Sequence, residues 1–416
     1  MERDINTKVV VSGIGLVTSL GQGREKTWAN LLNGKSGIKL TSQGLLAPIF
    51  DFVLNGAKSR MGDFCLMATE EALRDAGLDP FAVRGEPVGC AIGQSKPILS
   101  DPLHPFCQYP NETQENFSIP SSDTPSSSSS DLDASLLLAS FTGWSAEEIV
   151  RNTYQLTGPG SNMVAACATG IAALDLGMYW IQTHLCSRVL VGASESSLHP
   201  LYLAGFEQMG VLAKGRSADA ARPFDRNRSG FVVGEGAAVL LLEKEASAQQ
   251  RGHKPVAFLE KTALRHSASD TIRFDPNGKA VADLMRSVTQ DIVPDYINAH
   301  GTATRYNDAV ETKGIRMAFE GKSDQIAVSS TKAATGHLLG AAGALEAAFS
   351  VLALRDGWVP PTLNLTDPDP ECDLDYVPNR AREKNMETAL SLSYGFGGQI
   401  GATLFRKYNG NEETNV

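Results

Sequence analysis

The chain has 416 residues, 42% of them hydrophobic and 20% charged, with a formal net charge of −10. This length allows two or three domains or one large α/β unit, in the ordinary balance of a soluble globular protein. The negative charge disfavours non-specific binding to nucleic acid or anionic lipid, and no apolar run reaches the roughly 18–20 residues that span a bilayer. The start, MERDINTKVVVSGIG, lacks the form of a secretory signal. Six cysteines are scattered without a CxxC pair, so neither a zinc site nor a disulfide framework is expected. A reducing, cytoplasm-like compartment fits that usage.

Residues 8–17, KVVVSGIGLV, read as a buried strand running into a Gly-rich turn. Residues 63–76 carry apolar positions at helical spacing and end at Gly77; residues 87–93 read as a short strand. From 94 to 131 Ser and Pro dominate, the mark of a flexible insert. Helical spacing returns near 146–155. SNMVAACATGIAALDLGMYWIQ then reads as strand, turn and helix, SRVLVGASES as a strand, and residues 230–252 as a Gly turn, a strand and a polar helix. The second half alternates in the same way, with strand and loop at 294–301, helix from 308, and strand, loop and long helix in the segment ending at Gly357. TALSLSYGFGGQIGATLF reads as strand, Gly turn and strand. Alternation of this kind predicts an α/β architecture.

Three positions carry candidate chemistry. Cys167, in VAACATG, sits where a strand gives way to a helix, and a helix N-terminus favours the thiolate. His300, in NAHGTAT, stands at the carboxyl end of a strand, where α/β active sites gather, with the hydroxyls of Thr302 and Thr304 beside it. His337 lies in STKAATGHLLGAAGALEAA, with Lys332 five residues earlier. The turn Gly395-Phe396-Gly397-Gly398 could offer main-chain N–H groups to an oxyanion. Taken singly, a core cysteine, a strand-end histidine, a solvated lysine and a hairpin turn are the ordinary readings. The remaining histidines, 104, 184, 199, 253 and 266, have no comparable setting.

Taken in order, these segments resemble the elongating β-ketoacyl-acyl-carrier-protein synthases of the thiolase-like superfamily. The likeness runs through VVVSGIGLVTSLG, VAACATG, RPFDRNRSGFVVGEGAAVLLLE (222–243), NAHGTAT with NDAVE (307–311), SSTKAATGHLLGAAGALEA (329–347), PPTLNL (360–365) and YGFGG. It implies a five-layered αβαβα fold of two similar halves. Residues 1–250 would carry the nucleophilic cysteine and 251–416 both histidines. It further implies decarboxylative Claisen condensation of an acyl thioester with malonyl-acyl-carrier protein. Cys167 would be the nucleophile. His300 and His337 would stabilise the enolate, and Lys332 would support them electrostatically. Phe396, with the Cys167 main chain, would supply the oxyanion hole and a gate. Thr302 and Thr304 would contact the phosphopantetheine arm, and Glu311 would be structural. No metal or redox cofactor is implied, because the substrates bring phosphopantetheine on the carrier protein. The expected partners are acyl-carrier protein and a second subunit, in a homodimer or in a heterodimer with another ketosynthase-like chain.

The sequence departs from that pattern at Leu392 and Ile400, where Asn is usual, and at Arg305, where Pro is common. Residues 94–145 bear little likeness to the family's acyl-pocket segment. Two alternatives are a non-catalytic chain-length-factor-like subunit, which typically lacks the nucleophile, and a thiolase, which needs a second active cysteine.

Overall fold

The computed structural model describes residues 3–50, 52, 59–96, 145–268 and 275–410. The Ser/Pro-rich stretch, from residue 97 onward, therefore lies outside the described residues.

The first strand, β1 (Val9–Thr18), is buried along its whole length. Its SGIG segment is not the turn that the glycines suggest; it lies within the strand. Helix α1 (Arg60–Asp75) rests directly on it. A Cβ on Gly13 would come 2.0 Å from the Ala72 carbonyl oxygen, and one on Gly15 would come 1.9 Å from that of Ala68. The glycines serve close approach of helix to strand.

Four more strands complete the first half: β2 (Gly89–Gly93), β3 (Gly160–Met163), β4 (Arg188–Glu195) and β5 (Gly236–Lys244). They lie in the order β3-β2-β4-β5-β1, with β2 parallel to both its neighbours and the other joins antiparallel. The second half has β6 (Ala257–His266), β7 (Tyr296–Asn298), β8 (Ala327–Ser329), β9 (Thr388–Gly395) and β10 (Gln399–Lys407). Their order is β8-β7-β9-β10-β6, with the same pattern of parallel and antiparallel joins. Strands β1 and β6 then pair antiparallel from Val9↔Leu259 to Val11↔Ala257, joining the halves edge to edge.

Helices sort into three layers. α3 (Thr169–Gln182) and α6 (Ala342–Asp356) pack on each other and on strands of both halves. α6 is buried on every side from Ala342 to Leu354, as a central helix must be. α1 and α2 (Ala146–Tyr154) cover the outer face of the first half; α4 (Lys279–Thr289), with α5 (Arg305–Ala318) on it, covers that of the second. The result is the five-layered αβαβα arrangement. In each half the third strand runs through a loop into the central helix: β3 to α3 through Cys167, and β8 to α6 through Lys332 and His337.

Candidate active site

Ala166 has a left-handed φ of 48°, which turns the chain sharply just before Cys167. The turn is held from two sides. The Thr169 hydroxyl accepts the Ala165 N–H and donates to the Ala166 carbonyl, and the Ser393 hydroxyl on β9 donates to the Cys167 carbonyl at 2.7 Å. Gly395, also on β9, leaves room for this turn, since a Cβ there would stand 2.9 Å from the Cys167 nitrogen. Cys167 is buried, and that corrects the sequence expectation of a favoured thiolate. Burial pushes the thiol up to about 11, against the pull of Lys96 and Lys332. The group at rest is a thiol, because loss of water outweighs one helix end.

His300 follows β7. Its main-chain N–H and that of Gly301 each donate to one oxygen of Glu311, both at 2.8 Å. The Ser330 hydroxyl, in the loop after β8, donates to the Gly301 carbonyl at 2.7 Å. His337 is not at the start of the long helix. A short helix (Lys332–Thr335) ends at Gly336, and His337 lies in the loop before α6. Its main chain is pinned to the first half: its N–H donates to Val232 and its carbonyl accepts from Gly234. Its Nδ1 accepts the Leu339 N–H at 3.3 Å, which leaves the ring proton on Nε2. The two imidazole centroids are 5.4 Å apart. Burial, with Lys332 nearby, holds both rings well below the ordinary histidine range. They are neutral N–H donors at neutral pH.

Lys332 is buried and forms an ion pair with Glu346 on α6. It acts on both histidines through its charge. Glu346 escaped the sequence reading; its only signal is the one charged residue in the run Ala342–Leu354. Burial pushes it up to about 7 in spite of the lysine. Tyr394 was also missed. Its ring lies 5.3 Å from that of His300.

A cavity of about 910 Å³ gathers the candidates: Cys167, His300, His337, Thr302, Thr304 and Phe396 all line it, with Tyr394 among them. The Thr304 hydroxyl also caps α5, accepting the Asn307 N–H, and bonds the Thr302 hydroxyl at 3.0 Å. Gly397 and Gly398 turn the chain into β10 with φ of 80° and 78°. Exposed Lys214 and Arg305 stand on the cavity's lining. Leu392 and Ile400, two of the departures, are buried in the second half's core. Of the other histidines, His199 caps a short helix and His253 bonds the Ser12 carbonyl, while position 104 lies outside the described residues.

The description "beta-ketoacyl synthase, N-terminal domain" matches residues 55–248, and "beta-ketoacyl synthase, C-terminal domain" matches residues 256–366. A 3-oxoacyl-[acyl-carrier-protein] synthase 2 of Coxiella burnetii is 34% identical over 423 residues, covering 96% of this chain and 98% of that protein. The tetracenomycin polyketide synthase ketoacyl synthase alpha subunit of Streptomyces glaucescens is 33% identical over 432 residues, covering 98% and 99%. Among solved structures, the AntDE:AntF complex, a type II PKS acyl-carrier protein with its ketosynthase bound to the hexaketide, matches with a TM-score of 0.83 and 31% identity over 96% of this chain and 99% of that one. A beta-ketoacyl synthase of Burkholderia phymatum matches at 0.81 and 27%, over 96% and 99%.

Proposed function

The chain belongs to the beta-ketoacyl synthase family and is a ketoacyl-acyl-carrier-protein synthase of fatty-acid or polyketide biosynthesis; from that premise we propose how its own residues divide the condensation. The observation that carries the proposal is the single cavity shared by one thiol and two neutral imidazoles. The Cys167 sulfur attacks the carbonyl of an acyl thioester. Its proton passes to the departing carrier thiolate, by way of a neutral imidazole. The malonyl thioester then enters with its pantetheine arm along Thr302 and Thr304. N–H groups of His300 and His337 donate to its carbonyl. The bond to the carboxylate breaks, CO₂ leaves, and the electron pair forms an enolate under those two donors. The enolate carbon attacks the acyl-Cys167 carbonyl. Main-chain N–H groups of Cys167 and Phe396 hold the tetrahedral oxyanion until the sulfur departs. The electrons come from the malonyl group itself, so the scheme uses no metal or redox cofactor.

Neutral rings suit this task, because an imidazolium would hold its proton for the enolate to take. His300→Ala and His337→Ala are each expected to slow CO₂ release from malonyl-acyl-carrier protein by about 10²–10³-fold, the weight of one oxyanion donor. Radiolabelled CO₂ release measures it, with acylation of Cys167 followed separately by mass. Full decarboxylation in either variant would defeat the assignment.

The carrier protein docks, in this reading, where Lys214 and Arg305 place positive charge beside the opening of an otherwise acidic chain. Lys214→Glu with Arg305→Glu should raise KM for carrier-borne substrates about tenfold at low salt and leave short pantetheine thioesters unaffected. An equal effect on both substrate forms would remove these residues from docking. Pairing with a second ketosynthase-like subunit, identical or related, belongs to the same proposal. So does a reducing, cytoplasm-like setting, which suits five free cysteines, all buried, among the described residues. Among those residues no helix is long and apolar enough to cross a membrane. A non-catalytic chain-length-factor-like role is disfavoured by the complete thiol and imidazole set around one cavity.

A further inference from the structure

Building on the enolate role given to His337 above, we propose that Glu195 is its positioning residue and fixes which ring nitrogen carries the proton. Glu195 ends β4 and is 2% exposed. Its carboxylate joins three segments that are distant in sequence. One oxygen, Oε2, accepts the Ser95 N–H at 3.2 Å and the Ser95 hydroxyl at 2.5 Å, just past β2. The same oxygen accepts the Gly340 N–H at 3.1 Å. The other, Oε1, accepts the Ser197 hydroxyl. The Lys96 ammonium donates to the Ser95 hydroxyl at 2.8 Å, so positive charge stands one hydroxyl away from the buried carboxylate.

Gly340 lies in the turn Leu339–Ala341, which leads from the His337 loop into α6. The residue before it, Leu339, gives its N–H to His337 Nδ1 at 3.3 Å. Two consecutive amides of one turn are thus committed, Leu339 to the ring and Gly340 to the carboxylate. Leu339 has a left-handed φ of 49°, a conformation that persists only where its surroundings hold it. The bond from Gly340 to Glu195 supplies that hold from the first half of the chain. The fit is close: a Cβ on Gly340 would stand 2.6 Å from the Ser95 nitrogen and 2.9 Å from Glu195 Oε2. While Nδ1 accepts the Leu339 N–H, the proton stays on Nε2, where the enolate needs a donor. If the turn relaxes, that N–H swings off the ring. The two tautomers then approach each other in energy, and fewer molecules keep a donor on Nε2.

The tautomer can be read directly by nuclear magnetic resonance. In the full chain labelled with isotopic histidine, long-range proton–nitrogen correlation separates a protonated ring nitrogen from a bare one, and His337→Ala assigns the signals. In the native protein Nδ1 should be bare and Nε2 protonated; the reverse would overturn the proposal. Glu195→Ala removes the acceptor. Gly340→Ala forces the turn off an intact carboxylate, and stands in if the first variant does not fold. In both, the two nitrogen signals should draw together. The kcat for malonyl decarboxylation should fall about tenfold with KM little changed, the pattern of a donor lost from the transition state alone. Glu195→Gln keeps an oxygen for Gly340 and can turn its amide N–H to the Ser197 hydroxyl, so it should restore the native spectrum and rate. Native signals in folded Glu195→Ala or Gly340→Ala would overturn the proposal even where the rate falls, since a packing defect slows the enzyme without moving the ring proton. So would a Glu195→Gln spectrum like that of Glu195→Ala. Merged signals with an unchanged kcat would leave the Glu195–His337 link standing and sink the enolate role of His337 instead.

Discussion

Cys167→Gln is expected to lose condensation by about 10³-fold or more while CO₂ release from malonyl-acyl-carrier protein continues. The glutamine amide puts a carbonyl close to where the acyl thioester would have its own, so the cavity is filled as in the acylated state. No nucleophile remains, and no acyl adduct can form. In the proposed mechanism decarboxylation needs only the imidazoles, and His300 and His337 hang on hydrogen bonds that the substitution leaves alone: Glu311 to the first, Val232 and Leu339 to the second. Mass spectrometry of the protein after incubation with acyl donor, and product analysis beside the CO₂ measurement, separate the two half-reactions. If CO₂ release vanishes together with condensation, the thiol and the imidazoles do not act as separable parts and the mechanism above is wrong.

Loss of the counter-ion for Lys332 should be the most damaging change to stability. Glu346→Leu leaves a buried ammonium with no partner charge, which costs about 3–5 kcal/mol. The joint change Lys332→Met with Glu346→Leu removes both charges at similar volume and should recover most of that loss, since a buried pair is worth little more than well-packed apolar groups. Denaturant unfolding followed by circular dichroism measures both. A single variant as stable as the native chain, or a double variant as weak as the single, would contradict the picture.

Much of this architecture was legible in the sequence. Runs such as VVVSGIGLV and RVLVGASE are apolar on both faces, and such strands announce themselves. Strand β6 does not: AFLEKTALRH mixes charge with apolar residues because part of it is open to solvent, and its identity comes from pairing with β10 and β1. The thiol and both histidines could be found because each lies in a strand-to-helix junction beside small residues. What surrounds them could not. Glu346 reads locally as an ordinary helical acid, and only tertiary packing turns it into the partner of Lys332. The thiol's ionisation was misjudged for the same reason: a helix end is visible in sequence, whereas burial is a property of the assembled cavity.

The repeated strand order places Cys167 and His337 at corresponding stations, each between the third strand and the central helix of its half. Two identical copies meeting about a twofold axis would set like against like at that seam, thiol facing thiol or ring facing ring. Writing both copies into one polypeptide lifts that constraint. Each junction can then be altered without altering its counterpart, so one can present a thiol and the other an imidazole to the same cavity.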